Sequence, residues 1–267
     1  MLEHLLHLGP SWWHTDIALG VVECLVAALT ALVVMWLANR RGVGLLGELP
    51  WAQLRGLAQI VIVGLILAAL LRGPQWTSLI VLAGMMLAAA SIVRKRARQI
   101  PRAFPLALLS IFTGAGVILV IAITTGIVPL RITMLVPVGS MVIAQTMNMQ
   151  SIFLDRFRSE VTAHVGEVES ALALGAASDT AVGPYLRAAY RASLIPSIDN
   201  IRSLGIVWIP GIMAGMVLSG ASPIYAALYQ FVVLSTIFSA AALTCLTASY
   251  LVTKRIFTGE DQLLLRS

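Results

Sequence analysis

One apolar run of this chain gathers polarisable and polar side chains: Met141, Met147, Asn148 and Met149, with Gln145 and Gln150 beside them. Thioether sulfur is a soft ligand suited to Cu(I), whereas Fe(II) prefers imidazole and oxygen. Met147 and Asn148 could therefore line the route of a cation. Methionine also fills irregular gaps between helices, and packing is the simpler account of Met141. Glu23 is the one acidic side chain inside an apolar span. A carboxylate in hydrocarbon is costly and faces a cavity or a partner. It could attract a cation, or reach headgroups about two turns away. Pro210-Gly211 interrupts a further run, where proline should kink a helix and free carbonyls. Gly215 and Gly220 on the same run suit close helix contact instead, and the two readings are compatible. Met213 lies on that run, and Gln230, like Asn148, needs a hydrogen-bond partner across helices or in a wet cavity.

The chain has neither a G-x-x-x-x-G-K-[ST] phosphate loop nor an H-E-x-x-H helix, and none of His4, His7, His14 and His164 lies in an apolar run. Covalent catalysis and an intramembrane zinc site are not expected. The identity of any metal ligand stays open.

These residues must be positioned by membrane helices. Of 267 residues, 59% are hydrophobic and 11% charged, against roughly 25% charged in a soluble domain. A helix needs about 20 residues to cross a bilayer, so the length accommodates about seven spans and no large soluble domain. That excludes a built-in ATPase or kinase. Charges punctuate spans near 17–37, 57–71, 74–93, 103–127, 132–154, 203–218 and 224–250, the last two separated by the turn-like Ser219-Gly220-Ala221-Ser222-Pro223. The expected fold is an all-α polytopic membrane protein, one membrane domain over 1–267. Cys24 and Cys245 both sit in apolar runs and read as small buried hydrophobes.

With the N-terminus outside, sixteen of the eighteen Lys and Arg residues fall in inner loops, and only Arg72 and Arg131 outside. This positive-inside bias supports seven spans with the C-terminus inside. The net charge of +6 then marks inner loops rather than nucleic-acid binding. No Lys or Arg precedes Arg40, so the first span lacks a signal-peptide n-region and should be retained. Trp12 and Trp13 read as an aromatic belt at its outer end.

The long polar stretch 155–202 is expected inside and helical. Val161, Val165, Val168 and Leu172 keep helical spacing, Gly175 to Asp179 breaks it, and Ser178 or Asp179 could cap the next helix. Arg187 and Arg191 lie one turn apart, and Pro196 should mark an end or a kink. Glu169, Ala171 and Gly175 stand at the offsets of the E-A-A-x-x-x-G coupling loop of ABC permeases, with Ile195-Pro196 like its end. An amphipathic helix on the inner leaflet explains the same residues.

Two longer stretches add a resemblance. PVGSMVIAQTMNMQSIFLDRF (137–157) and IRSLGIVWIPGIMAGMVLSGASPIYAALYQF (201–231), with ESALALGA and RAAYRASLIPSID between them, resemble the FetB-type iron-export permeases. These are bacterial ABC membrane subunits related to plant aluminium-tolerance permeases. Ala144, Gln145, Met149 and Met216 depart from the family pattern. The resemblance implies a multi-pass permease of the bacterial inner membrane, exporting iron or another metal ion as a homodimer. It implies a separate ABC ATPase that holds ATP and Mg, and no cofactor in this chain. Glu23, Met147, Asn148, Pro210, Gly211, Met213 and Gln230 would line the path. Glu169, Ala171, Gly175, Arg187 and Arg191 would meet the ATPase, with membrane lipids as the other partner. An ATPase-independent transporter or channel, and a membrane scaffold or sensor, are the alternatives.

Overall fold

A computed structural model describes residues 16–42, 47–70, 74–257 and 263. The expectations for Trp12, Trp13 and the first three histidines lie outside the described residues. Helix α1 spans Asp16–Asn39 and α2 spans Glu48–Leu70. These two belong to one compact unit, residues 1–72, and everything from residue 73 onward forms a second. Helix α2 starts well before the expected residue 57, because Trp51, Gln53 and the charged Arg55 continue with helical backbone a run that hydropathy alone truncates. Neither helix buries its apolar window within the chain. Cys24 is accordingly exposed, contrary to the expectation, and only Cys245 is buried.

The second unit contains α3 (Thr77–Arg96), α4 (Ala103–Ile111), a π turn over Phe112–Gly116, α5 (Val117–Thr124), α6 (Ile132–Ala163), α7 (Val165–Ala173), α8 (Ser178–Ser203), α9 (Gly211–Leu218) and α10 (Pro223–Ile256). Helix α10 is the spine, packed on α4, the π turn, α5, α6, α8 and α9. Between apolar helices in lipid, small residues permit the close approach that dispersion requires. Ala90, Ala107, Ala115, Ala240, Ala241 and Ala248 are accordingly fully buried. Gly114 makes the tightest contact. A Cβ there would collide with the Thr244 hydroxyl and lie 2.6 Å from the Thr244 amide nitrogen and 2.7 Å from the Ala240 carbonyl oxygen. The π turn places this glycine against α10, and Thr113 Oγ1 donates to Thr247 Oγ1 at 3.2 Å across the same seam.

Six helical stretches among the described residues are long and apolar enough to cross a membrane, α4 through α5 counting as one stretch of 22 residues. The expected crossing at 203–218 is not among them. Helix α8 runs to Ser203 and α9 has only 8 residues, about 12 Å at 1.5 Å per residue. Between them, Gly205 takes a φ of 76° and donates its N–H to the Trp208 carbonyl. Pro210 is thus no kink inside a helix. It is the extended residue preceding α9, with ψ 145°.

Other boundaries move for local reasons. Helix α6 continues nine residues past Leu154 to Ala163, because Arg156–Glu160 and Asp155–Arg158 pairs carry the helix into polar sequence. Helix α8 begins at Ser178 itself, after an extended Ala177, and passes through Pro184 and Pro196 without ending. Pro196 removes one amide donor, but the neighbouring helices hold the rest of the chain in place.

Candidate functional site

Helix α6 has two faces. Leu135, Val138, Val142, Met149 and Phe153 are buried in the core. Met134, Pro137, Met141, Ala144, Asn148, Ile152 and Asp155 are exposed, at steps of three and four residues that trace one stripe along the helix. Successive residues lie about 100° apart on a helix, so Met147, Asn148 and Met149 are split. Asn148 points outward, Met147 is half-buried against the core, and Met149 is buried. The stripe therefore holds Asn148 and Met141, with the half-buried Gln145 at its edge. An amide left against hydrocarbon without a partner costs roughly 2–7 kcal/mol. In a membrane this stripe demands water or a polar partner.

The described groups do not satisfy every buried polar atom. Gln150 is fully buried, and neither its Oε1 nor its Nε2 has a protein partner; Ser197 Oγ, Tyr229 Oη and Gln230 Oε1 share that state. Gln230 was expected on the path and is buried on α10. Gln150 and Ser197 were not selected from sequence, although a glutamine in an apolar run was a visible signal. Pro210 is buried, Gly211 exposed and Met213 half-buried. Glu23 is exposed on α1 within the first unit.

Helix α8 is not confined to a polar exterior, as 155–202 was expected to be. Its Ala189, Ser193 and Ser197 face is buried, and the helix packs along α6 and α10. Tyr190 Oη donates to the Ala242 carbonyl at 3.3 Å, and Ser193 Oγ to Cys245 Sγ at 3.7 Å. Cys245 precedes Lys254 by nine residues, about 14 Å along the helix. Ser193 thus sits well inside the apolar length of α10. Further along α8, the exposed Asp199 and Arg202 approach to 3.6 Å just before the break at Ser203. Sequence reading missed this pair as a site because it treated the whole segment as an exterior loop.

The α7–α8 connection is a helical hairpin closed by a glycine cap. Gly175 has a φ of 87°; its N–H bonds the Leu172 carbonyl at 2.9 Å and the Ala176 N–H bonds the Ala171 carbonyl at 3.0 Å. This is a left-handed helix cap with both reverse bonds in place. Tyr185 Oη donates to Glu167 at 2.9 Å, and its ring stacks on His164 with centroids 5.1 Å apart. Partial burial and the adjacent Glu167 carboxylate push the Tyr185 phenol above its ordinary pKa. Glu169 is exposed and Ala171 half-buried, while Leu174, beside the Gly175 tip, is 89% exposed. Such an apolar knob at a polar tip was not singled out from the sequence. Arg187 and Arg191 are exposed and make no ion pair with a described carboxylate. Arg191 also lines a cavity of about 480 Å³ with Tyr190, Leu194, Asp199 and Arg202. Among the described residues, no three His, Cys, Asp or Glu converge as a tightly held metal ion would need.

The sequence profile of the uncharacterised protein family UPF0014 matches residues 21–257. Bacillus subtilis UPF0014 membrane protein YjkA is 32% identical over 238 residues, covering 87% of this chain and 93% of that one. Arabidopsis thaliana ALUMINUM SENSITIVE 3 is 28% identical, covering 91% and 90%. The Escherichia coli protein named probable iron export permease protein FetB is 27% identical, covering 91% and 94%. No solved structure matches the chain at a significant level.

Proposed function

The chain belongs to the UPF0014 family, and on that premise we propose that it is the permease subunit of a bacterial inner-membrane ABC exporter for iron or another metal ion. Two copies would line the path with their α6 stripes, and a separate ATPase would bind and hydrolyse ATP with Mg. The observation that carries this reading is the arrangement of α6 and the hairpin that follows it. One helix presents Asn148 on an exposed stripe in its apolar half and ends at His164, where the capped hairpin begins. Motion of the hairpin would thus be transmitted along α6 to the stripe. A second copy supplies what Asn148 lacks, since amides pair across membrane helices. A passing cation would meet amide and carbonyl oxygen with thioether beside it, a set that suits a transient ligand.

The broken unit of α8, 204–210 and α9 would serve as the remaining crossing, restoring seven and leaving the basic clusters at 94–102 and 254–255 on the inner side. Discontinuous helices of this kind border transport sites. The Asp199–Arg202 pair at the break favours a second reading, an ion-driven transporter without an ATPase.

Copurification separates them. Full-length chain coexpressed with the candidate ABC ATPase should retain it through detergent extraction. Arg187→Glu should reduce recovery several-fold if one exposed charge contact is lost. Undiminished binding by that variant removes this face from the interface, and failure of the unmodified chain to bind any ABC ATPase favours the ion-driven reading.

A further inference from the structure

We infer that the crevice between α3 and α4 is a binding site for one anionic phospholipid, its charged headgroup held by Arg94, Lys95, Arg98 and Arg102 and an acyl chain lying along the apolar groove above them. The end of α3 and the start of α4 enclose a cavity of about 790 Å³ lined by those four cations and by Gln99. All four side chains are exposed, and none pairs with a described carboxylate. The sequence itself withholds a counter-charge, since no Asp or Glu occurs from residue 49 to residue 154. The nearest ion pair on the neighbouring helix is already closed, Arg158 bonding Asp155 at 3.7 Å while its Nη1 donates to Gln99 at 2.8 Å. Arg255 adds a further cation, donating to the Arg102 carbonyl at 2.6 Å.

The backbone fits the same ligand. Ala103 and Phe104, the first two residues of α4, line the cavity, so amides at a helix N-terminus join the cations around it. Arg102, immediately before, is the one non-glycine residue among those described with positive φ, 53°. That conformation turns the chain sharply from the α3 end into α4.

A basic cavity alone would suit free phosphate. The second observation points to a lipid. One helical turn into the membrane, the same two helices form an apolar groove of about 430 Å³, lined by Met86, Leu87, Leu108, Leu109 and Phe112. Pro105 borders both cavities, so the groove continues from the headgroup pocket. Leu87, Leu109 and Phe112 are exposed along it. Phosphate and hydrocarbon recognition are thus stacked in the order in which a phospholipid presents them to a membrane protein.

The test is native mass spectrometry of the full-length chain in detergent, titrated with phosphatidylglycerol or with phosphatidylcholine of the same acyl chains. The chain should bind phosphatidylglycerol about thirtyfold more tightly, as expected for two basic contacts at a membrane surface. Arg94→Gln with Arg98→Gln should abolish that preference, while Arg40→Gln with Arg41→Gln, the same charge removed from another basic loop, should keep it. Equal losses in both variants would overturn the site in favour of general electrostatics. Leu109→Trp, which fills the groove, should weaken phosphatidylglycerol binding. Glycerol phosphate competing as well as the lipid would reduce the site to one for free phosphate and overturn the inference. A loss of oligomeric mass in Leu109→Trp, with lipid binding unchanged, would assign the groove to a second copy and overturn it equally.

Discussion

Replacing Gly175 by valine isolates one backbone angle. Gly175 has a φ of 87°, and an added Cβ there would have no atom within 4 Å. No collision contributes, so the cost is that of an L residue in the left-handed region, about 1–2 kcal/mol. A β-branched side chain pays the upper end of that range. What resists is modest: the two reverse bonds of the cap, at 2.9 and 3.0 Å, and the exposed Tyr185–Glu167 bond at 2.9 Å, each about 1 kcal/mol net. A cost of about 2 kcal/mol shifts the ratio of closed to open cap about thirtyfold. Hydrogen exchange of the amides in 172–180 of the purified chain should accelerate by about that factor in Gly175→Val. Gly175→Asn should stay near the unmodified rate, since asparagine tolerates left-handed geometry. If valine and the unmodified chain exchange alike, the left-handed cap is not what holds the hairpin. With the ATPase present, the same valine variant should assemble weakly while metal ceases to stimulate hydrolysis.

Gly114→Ala should destabilise the folded chain by about 1–3 kcal/mol, because its Cβ would meet the backbone of α10 at 2.6 and 2.7 Å. Gly116→Ala, two residues on, would make only ordinary contacts at 3.8 to 4.0 Å and should leave the melting temperature nearly unchanged. Thermal melts of the detergent-solubilised variants compare them, and equal shifts would contradict the close-packed seam. Met147→Leu with Asn148→Leu should preserve expression and ATPase binding yet reduce metal export. Unchanged export would return both residues to packing.

Where hydrophobicity and charge dominate, the fold was legible: α1, α3, the α4–α5 stretch, α6 and α10 all overlap expected spans, because long apolar runs between charges have few alternatives in a membrane. The Gly175 cap was legible too, since a glycine after a periodic apolar pattern has a specific backbone use. The 203–218 region was not. A charge-free run looks like a span, but Gly205 and Pro210 break it, and tertiary contacts with Ala242 and Cys245 draw the preceding charged helix along α10. Hydropathy does not register such contacts. For the site, residue types pointed to Met147, Asn148 and Met149 as a group, but their helical phase separates them. Exposure along α6 selects Asn148 and Met141, and burial without a partner draws attention to Gln150. Neither property can be read from a residue's identity alone.

The central claim is ATP-driven metal export through this chain. It is tested by liposomes containing the full-length permease and its ATPase, loaded with Fe(II) on the side bearing the ATPase. Fe(II) should stimulate ATP hydrolysis, and the metal should cross only when ATP and Mg are present. Fe(II) movement that proceeds without the ATPase, or hydrolysis that ignores every metal tested, would contradict it.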